Sequence, residues 1–340
     1  MSLTEISARK SEVKTEKPKK KSSMLVPALV ILLGIAILLY PIVSTQWNNY
    51  QQQQAAAEYA KFVKKADTKA LEKSLEEAHR YNAERTVGPI LDPWTERLAD
   101  DNEPYKEYLA QLNVTGVMAR LVIPSIKADL PVFHGTRPDT LEKGIGHLFG
   151  TDLPVGGPST HSVLTGHTGL QTATLFDNLD KMKKGDSIYI DVAGEKLRYV
   201  VSGTEVVLPD EAENLYKVEG RDLLTLITCT PYGVNSHRLL VHAERAPMDD
   251  AGKAALEDGV GTTIQWWMWA FGGVALLAVL ALVFFMMKSR RRNKDDQADV
   301  TSPNAAELPQ AEAQPATDVV ETGDDTSPTD VADSAPTSDN

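Results

Sequence analysis

The sequence predicts a mainly β domain, a closed barrel or a sandwich, flanked by two membrane-spanning helices. From Val114 onward, short β-branched or alternating runs are separated by Gly, Pro, Asp and Asn, a pattern typical of strands joined by turns. Two long segments without charge lie on either side of this region. Seven or eight strands with few helices, in about 130–150 residues, fit one domain of ordinary size.

The first apolar segment, 24–43, holds twenty residues without a charge and follows a lysine-rich stretch at 17–21. At about 1.5 Å per helical residue it covers roughly 30 Å of hydrocarbon. A cleaved signal peptide is the alternative. The apolar run is long for that, and residues 43–46 (VSTQ) make a poor cleavage site, so we predict an uncleaved anchor.

The second apolar segment, 264–287, opens with Trp266, Trp267 and Trp269 and is followed by a basic cluster at 288–294. Tryptophans are enriched at the membrane interface, and basic clusters favour the cytoplasmic side. We therefore predict two spans with both chain ends in the cytoplasm and residues 46–260 outside the cell.

Between the first span and the strands, residues 49–84 have helix composition without Gly or Pro. This helix is either a stalk or packs on the domain, and periodicity does not decide between them. Residues 86–104 contain three prolines and are predicted as a loop. Residues 1–23 are polar, and the tail after Asp295 is predicted to be disordered.

The strand region divides at its turn residues into seven predicted strands and two short helices. The strands are 117–123, 130–133, 162–165, 187–192, 197–208, 223–229 and 239–242, and the helices are 174–182 and 210–216.

The formal charge of -12 belongs to the tail, because residues 295–340 hold twelve acidic side chains and no Lys or Arg. The other 294 residues carry 35 acidic and 35 basic side chains. No basic stripe for nucleic acid is present, so we exclude a nucleic-acid-binding function.

Cys229 is the only cysteine, so the chain forms no internal disulfide. It ends a predicted strand, on the same face as Leu223, Thr225 and Ile227, and the turn signal 230–233 (TPYG) follows. Most free cysteines are small buried hydrophobes. A unique thiol at a strand end in an extracytoplasmic domain instead favours a nucleophile, which needs a base or cation nearby to form thiolate.

Two further residues are candidates for that site. His167 ends a strand between Gly166 and Gly169, and glycines allow close approach to the imidazole. Arg238 lies nine residues after Cys229, so a hairpin would bring it beside the thiol, where a guanidinium can stabilise an oxyanion. Taken singly, a turn histidine and an arginine paired with a carboxylate are the simpler interpretations. His161 and His167 lack a clear third ligand, so no metal site is predicted.

Together these residues resemble the sortase family. The segment 225–229 (TLITC) matches the sortase Thr-Leu-x-Thr-Cys motif, Gly166-His167 matches its histidine segment, and Arg238 matches its arginine, in the family's order. The resemblance covers about residues 90–245. It implies an eight-stranded sortase β-barrel in which Cys229, His167 and Arg238 are catalytic.

Class C sortases, the pilin polymerases of Gram-positive bacteria, resemble the chain most. They share the TPYG continuation, a C-terminal apolar anchor and an Asp-Pro-aromatic lid, which Asp92-Pro93-Trp94 matches. In that class the lid occupies the groove, with the Asp near the arginine and the aromatic ring over the thiol. Without the resemblance, Asp92-Pro93-Trp94 is an ordinary proline turn. Gly166 and Thr168 depart from the Ala or Ser and the Arg that often flank the histidine.

The resemblance implies a transpeptidase that cleaves an LPXTG-like sorting signal between Thr and Gly through a Cys229 thioester. The acyl group then passes to a lysine amine of a pilin subunit, with no metal or organic cofactor. Two alternatives stay open. One is a housekeeping sortase that attaches proteins to a peptidoglycan precursor. The other is a non-catalytic, membrane-anchored assembly module in which Cys229 is merely buried.

These interpretations give one order of domains along the chain. It is a cytoplasmic segment 1–23, a transmembrane helix 24–43, a helical stalk and lid region 46–112, a catalytic barrel 113–246, a linker 247–263, a transmembrane helix 264–287, and a basic then acidic disordered cytoplasmic tail 288–340.

Overall fold

Eight β-strands form the centre of the protein. The computed structural model describes residues 25–85, 90, 92–93, 102–211, 213–261 and 264–300. Within these ranges the strands are β1 Ala119–Ile123, β2 Ala128–His134, β3 Ile145–His147, β4 Thr160–Thr165, β5 Ser187–Val192, β6 Glu195–Val207, β7 Asp222–Thr230 and β8 His237–Ala246.

The strands close into a barrel in the order β1-β2-β3-β4-β7-β8-β6-β5. The β2–β3 and β4–β7 pairs are parallel, and all other neighbours are antiparallel. This arrangement confirms the predicted mainly β barrel, and closure leaves no open sheet edge.

Side-chain alternation along β7 separates the inside of the barrel from its outer face. Leu224 and Leu226 join the main core, whereas Ile227 belongs to a second apolar cluster on the opposite face. That outer cluster includes Val163 of β4 and Leu240 of β8, and Ile90 and Leu215 cover it from flanking loops. The predicted shared face of Thr225, Ile227 and Cys229 is therefore the outer face.

The strand predictions were close, except at β3, which was missed. Three residues centred on Gly146 are too short to show alternation. The predicted helix 174–182 was wrong: the segment contains a single 3₁₀ turn, Leu179–Lys181. Leu175 has a positive φ of 36°, which interrupts a right-handed helix before it begins. The predicted helix 210–216 is likewise reduced to the 3₁₀ turn Glu213–Leu215.

Six helices accompany the barrel within the described residues. They are α1 Leu25–Lys65, α2 Thr68–Glu84, α3 Glu103–Ala110, α4 Pro138–Leu141, α5 Asp250–Asp258 and α6 Trp266–Val300. The prediction of one helix over 49–84 was wrong. Helix α1 runs without interruption from the first apolar segment and ends at Lys65. A new helix, α2, begins after Asp67, whose side chain caps it by accepting a hydrogen bond from the N–H of Lys69.

Helix α1 packs on the barrel, which decides between stalk and docked helix. The buried Tyr59 hydroxyl donates to the carbonyl of Met118 and accepts the N–H of Ala193. Both partners flank the barrel strands, so the carboxyl-terminal half of α1 is fixed to the domain.

The predicted linker 247–263 contains helix α5. Its Leu256 packs with Val122 and Tyr189 on the outer face of β1 and β5. The Arg120 guanidinium donates to the carbonyl of Leu256 at 2.7 Å and holds Asp129 through two hydrogen bonds. This segment is therefore part of the domain.

Helices α1 and α6 each contain a stretch long and apolar enough to cross a membrane, with mean hydropathies of 2.7 and 2.6. Both apolar stretches extend into longer helices than predicted, since α1 continues to Lys65 and α6 continues to Val300. Length and composition are consistent with membrane anchoring. The predicted segments 1–23 and most of the tail lie outside the described residues.

Candidate active site

Cys229 is the penultimate residue of β7 and is only 7% exposed. Ile227, two residues earlier on the same strand face, belongs to the outer apolar cluster and lines a groove on the outside of the barrel. The turn that follows begins with a cis peptide bond between Thr230 and Pro231.

Arg238 lies directly opposite Cys229. The β7–β8 hairpin pairs the two Cα positions, as the nine-residue spacing predicted. The guanidinium is buried and holds Asp92 in a two-point ion pair, Nε to Oδ1 at 2.7 Å and Nη2 to Oδ2 at 3.0 Å. Its third nitrogen, Nη1, donates to the carbonyls of Asn235 and His237 at 3.2 Å, which orients the planar group.

His167 lies two residues beyond the end of β4. The parallel register pairs Thr165 with Ile227, and two more residues on each strand lead to His167 and Cys229. The register is carried past the strand end by two hydrogen bonds, from the Gly166 N–H to the carbonyl of Ile227 and from the Thr228 hydroxyl to the carbonyl of Gly166. The motif threonine Thr228 thus attaches the histidine segment to the cysteine strand.

Gly166 has a packing role that the sequence interpretation missed. A Cβ at this position would lie 2.6 Å from Ile145 Cδ1 and 2.9 Å from Phe176 Cδ2. Both neighbours are fully buried, so any side chain here would displace the segment that carries His167. Gly169 instead has a φ of +75°, a left-handed conformation that glycine adopts without strain.

Burial dominates the protonation of the site. It raises the pKa of the Cys229 thiol, Arg238 lowers it and Asp92 raises it. Burial also lowers the pKa of the half-buried His167, an effect that Glu142 opposes. With Asp92 in place, both shifts favour a neutral thiol and a neutral imidazole at neutral pH.

Asp92 and Pro93 lie in the groove. Together with Ile90 they line a cleft whose other walls include Val207, Leu215, Ile227, Arg238 and Leu240. The Asp92 carboxylate is 5% exposed. Trp94 lies outside the described residues, so its predicted place over the thiol stays a prediction.

His161, which is not predicted to be a metal ligand, has a different environment. Its Nε2 is 2.7 Å from the Thr225 hydroxyl, and its Nδ1 is 3.1 Å from the carbonyl of Tyr216. The same hydroxyl lies 2.8 Å from His242 Nδ1. Within the described part of the chain, no three His, Cys, Asp or Glu side chains are grouped to hold a metal ion.

The loop between His167 and Asn178 is fixed by residues that the sequence interpretation did not single out. The half-buried Asp177 carboxylate accepts the N–H of Gly169 at 2.7 Å and lies 3.4 Å from the Thr168 hydroxyl. The Phe176 N–H donates to the carbonyl of His167 at 3.0 Å. These bonds join the two ends of the loop beneath the histidine.

Replacing Asp177 with asparagine should raise stability above pH 6. Burial raises the pKa of Asp177 from 3.8 to about 6, although its hydrogen bonds to Gly169 and Thr168 lower it. The folded state therefore binds the Asp177 proton more tightly than the unfolded state does. This contribution to the free energy of unfolding is full below pH 4 and is lost as the pH rises through 6. Asparagine keeps the acceptor for Gly169, so the melting temperature of Asp177→Asn should exceed that of the unmodified chain by a margin that grows from pH 4 to pH 7. The exposed control Asp210→Asn should show a constant difference, and a constant difference for Asp177→Asn would contradict the prediction.

A family model described as the sortase domain matches residues 121–246, which include the ends of β4, β7 and β8. That range contains His167, Cys229 and Arg238 and excludes Asp92. The match therefore covers the barrel and not the segment that occupies the groove.

Three solved sortase structures are each similar to more than half of the chain. Sortase C-1 from Actinomyces oris is 58% identical, with 53% of this chain and 99% of that chain covered and a TM-score of 0.52. A lid mutant of sortase A from Corynebacterium diphtheriae is 47% identical, covering 54% and 98%, with a TM-score of 0.51. Sortase C from Streptococcus pneumoniae, described with regard to its pilin substrate specificity, is 41% identical, covering 57% and 97%, with a TM-score of 0.53.

Proposed function

Because the chain belongs to the sortase family of cysteine transpeptidases, we propose that it cleaves an LPXTG-like sorting signal and joins the acyl fragment to a pilin lysine. The observation that carries the proposal is the Cys229–Arg238 pair at the end of the β7–β8 hairpin, with Asp92 bound to the guanidinium. The similarity to sortase C-1 and to a pilin sortase of Streptococcus pneumoniae supports a polymerase of class C.

In the first half-reaction, the Cys229 thiol gives its proton to the neutral His167 imidazole, and the resulting thiolate attacks the threonine carbonyl carbon of the sorting signal. The carbonyl π electrons move to oxygen, and the Arg238 guanidinium stabilises this oxyanion. Collapse of the intermediate breaks the Thr–Gly bond. His167 supplies the proton that the leaving glycine amine takes, and the enzyme holds the signal as a thioester.

In the second half-reaction, a lysine amine of the next subunit attacks the thioester carbonyl. His167 takes a proton from that amine, Arg238 again stabilises the oxyanion, and Cys229 leaves as thiolate. The product is an isopeptide bond, and the proton on His167 returns to the Cys229 thiolate, which restores the neutral pair. No external oxidant, reductant or energy source is needed.

The geometry implies that the groove must open before substrate binds. Asp92 accepts hydrogen bonds from Nε and Nη2 of Arg238, so an oxyanion would compete with this carboxylate for the guanidinium. The lid mutant of the Corynebacterium diphtheriae relative supports treating residues 92–94 as a lid. We propose that lid opening is a population shift that precedes acylation and limits turnover.

Replacing Asp92 with alanine should speed alkylation of Cys229 by iodoacetamide about 10-fold at pH 7, because the thiolate, not the thiol, is the reactive form. The change removes a charge that raises the pKa of the thiol and leaves Arg238, which lowers it. Since Cys229 is the only cysteine, adduct formation followed by intact mass reports this thiol alone.

Asp139→Ala is the matched control for that measurement. Asp139 is also an aspartate beside an arginine, with its side chain 68% exposed and 3.8 Å from Arg137. Its removal should leave the alkylation rate unchanged. Equal rates for Asp92→Ala and Asp139→Ala, together with unchanged peptide cleavage by Asp92→Ala, would mean that Asp92 does not restrict the groove.

We also propose that α1 and α6 anchor the enzyme in the membrane with both ends in the cytoplasm and the barrel outside the cell. The apolar stretches at 24–43 and 264–287 and the basic clusters at 17–21 and 288–294 support this topology. It places the active site on the side where secreted pilins arrive.

Intact-protein mass spectrometry of the full chain in detergent micelles tests the proposed function. The Asp92→Ala enzyme mixed with an LPXTG peptide should gain the mass of the acyl fragment, and the same enzyme with Cys229→Ala should not. A pilin-derived lysine peptide should then discharge the adduct and appear as an isopeptide product. Discharge by a peptidoglycan-precursor amine but not by the lysine peptide would indicate a wall-anchoring sortase. Absence of any adduct, with the thiol still open to alkylation, would contradict the proposal.

A further inference from the structure

Helix α1 turns a polar stripe toward the domain just after its apolar stretch. The buried positions are Thr45, Asn49, Gln52, Ala56 and Tyr59, spaced every three or four residues along one helix face. The first three are polar, and Thr45 follows the predicted membrane segment by two residues. A simple tether has no need to bury hydrogen-bonding side chains, since each costs free energy unless it finds a partner.

The hydrogen-bond partners of Thr45 and Asn49 lie in the loop that follows His167. Thr45 Oγ1 donates to the carbonyl of Gln171 at 3.0 Å. The neighbouring Asn48 Nδ2 donates to the carbonyl of Thr172 at 2.8 Å. Both acceptors belong to loop backbone rather than to a barrel strand, so these contacts restrain the loop and not the barrel.

Asn49 makes the most specific contact. Its Nδ2 donates to Thr174 Oγ1 at 2.8 Å, and its Oδ1 accepts the Thr174 N–H at 2.9 Å. This reciprocal pair uses both ends of the side-chain amide. An amide held at both ends fixes the position and the orientation of the loop segment at Thr174.

A short path leads from Asn49 to the candidate catalytic histidine. Only Leu175 separates Thr174 from Phe176, whose N–H donates to the carbonyl of His167 at 3.0 Å. Phe176 is fully buried, and the Asp177 carboxylate ties the same turn to Gly169. A shift of the loop at Thr174 is therefore transmitted to the backbone of His167.

The second apolar helix contacts the far end of the same loop. Gln265, just before α6, donates from Nε2 to Asn178 Oδ1 at 3.3 Å, and both residues are buried. Gln46 of α1 lies 3.3 Å from the sulfur of Met268 in the first turn of α6. The loop is therefore held by α1 at residues 171–174 and by the residue before α6 at Asn178.

We propose that Thr45, Asn48 and Asn49 are positioning residues that set the place of His167 by docking the loop 170–178 against α1. We call this set of contacts the loop clamp. Under this proposal the apolar helices complete the active site in addition to anchoring the chain. The proposal rests on the proposed function, because it assigns His167 to proton transfer in that reaction. A displaced proton donor slows chemistry without weakening substrate binding in the groove.

The test measures peptide cleavage and transfer by the full chain in lipid nanodiscs, with Asp92→Ala present in every enzyme so that the groove is open. Asn49→Ala should lower kcat about 10-fold and leave KM for the sorting peptide within about twofold, since a small misplacement of a catalytic group is costly. On the limb of the pH profile that His167 governs, kcat should depend less steeply on pH. The rate of Cys229 alkylation should be unchanged, whereas an unfolded chain would expose this buried thiol and react faster. The control Gln51→Ala, on the exposed face of α1, should behave as the parent.

A second pair of variants keeps the test decisive if Asn49→Ala does not fold. Thr174→Val removes the Oγ1 acceptor and keeps the side-chain shape, whereas Thr174→Ser keeps the acceptor. The valine variant should lose kcat and the serine variant should retain it. Equal kcat values for valine, serine and parent enzymes would overturn the loop clamp, as would an Asn49→Ala enzyme indistinguishable from Gln51→Ala.

One readout is independent of turnover and separates the two proposals. If the parent enzyme forms no adduct with the peptide, the proposed function fails. Amide hydrogen exchange at Phe176 still tests the clamp, because Asn49→Ala should accelerate it and Gln51→Ala should not. Unchanged exchange at Phe176 in Asn49→Ala would overturn the clamp whatever the enzyme catalyses.

Discussion

The Cys229→Ala enzyme is expected to form no thioester and to lose at least about 10⁴-fold in kcat, because removal of a nucleophile abolishes the covalent route altogether. Cys229 is the only thiol of the chain, so no other cysteine can replace it. The measurement is the initial rate of peptide cleavage, combined with intact mass, in the Asp92→Ala background. Arg238 and the carboxyl end of β7 stay in place, so substrate binding in the groove should persist.

Folding of the alanine variant has to be shown separately, since Cys229 is buried on a central strand. Removing one sulfur atom beside a groove leaves little enclosed space, and we expect a melting temperature within a few degrees of the parent. Cys229→Ser is the matched variant, with nearly the same shape and a much poorer nucleophile. A peptide adduct on either variant would show that another residue accepts the acyl group.

Much of the barrel was predictable because its strands are locally encoded. Period-two alternation and turn residues located seven of the eight strands, and the nine-residue spacing predicted that Arg238 would face Cys229. Long alternating strands such as β6 show this signal clearly. The three-residue β3 does not, since its place is decided by pairing with β2 and β4.

The contacts that position the site were less predictable, because they depend on tertiary partners. The spacing of Thr45, Asn49 and Gln52 marks a helix face, but polar residues on a face usually indicate solvent. Only the neighbouring loop shows that Asn49 is bound and buried. The predicted helix 174–182 failed for a related reason. Thr174 bonds to α1, and Phe176 and Asp177 bond to the start of their own loop, so the segment forms only short turns.

The resemblance predicted that Asp92 lies near Arg238. Local sequence pattern alone would have interpreted the segment around Asp92 as an ordinary proline turn. The two residues are 146 positions apart, and no periodicity links them. The ion pair is buried on both sides, so the carboxylate and the guanidinium satisfy each other in the closed groove. Removing one partner leaves the other charge uncompensated. Arg238 variants should therefore have two opposing effects, one on opening of the groove and one on the chemistry.

Replacing Arg238 with alanine should therefore accelerate opening of the groove and slow the chemistry. Loss of the guanidinium releases Asp92, but it also removes a cation that lowers the pKa of the Cys229 thiol and the donor proposed for the oxyanion. In the Asp92→Ala background the first effect is absent. There, Arg238→Ala should lower kcat by about 10²–10³-fold, the usual cost of one oxyanion donor.

Arg238→Lys separates charge from geometry in the same background. A lysine keeps the positive charge near the thiol but lacks the planar fork whose Nη1 is held by Asn235 and His237. If charge near Cys229 is the main requirement, lysine should restore most of the thiol reactivity and of kcat. If aimed hydrogen bonds to the oxyanion dominate, alkylation should recover while kcat stays about 10²-fold low. An Arg238→Ala enzyme with undiminished kcat would exclude both roles and would leave Arg238 only as the partner that holds Asp92 in the closed groove.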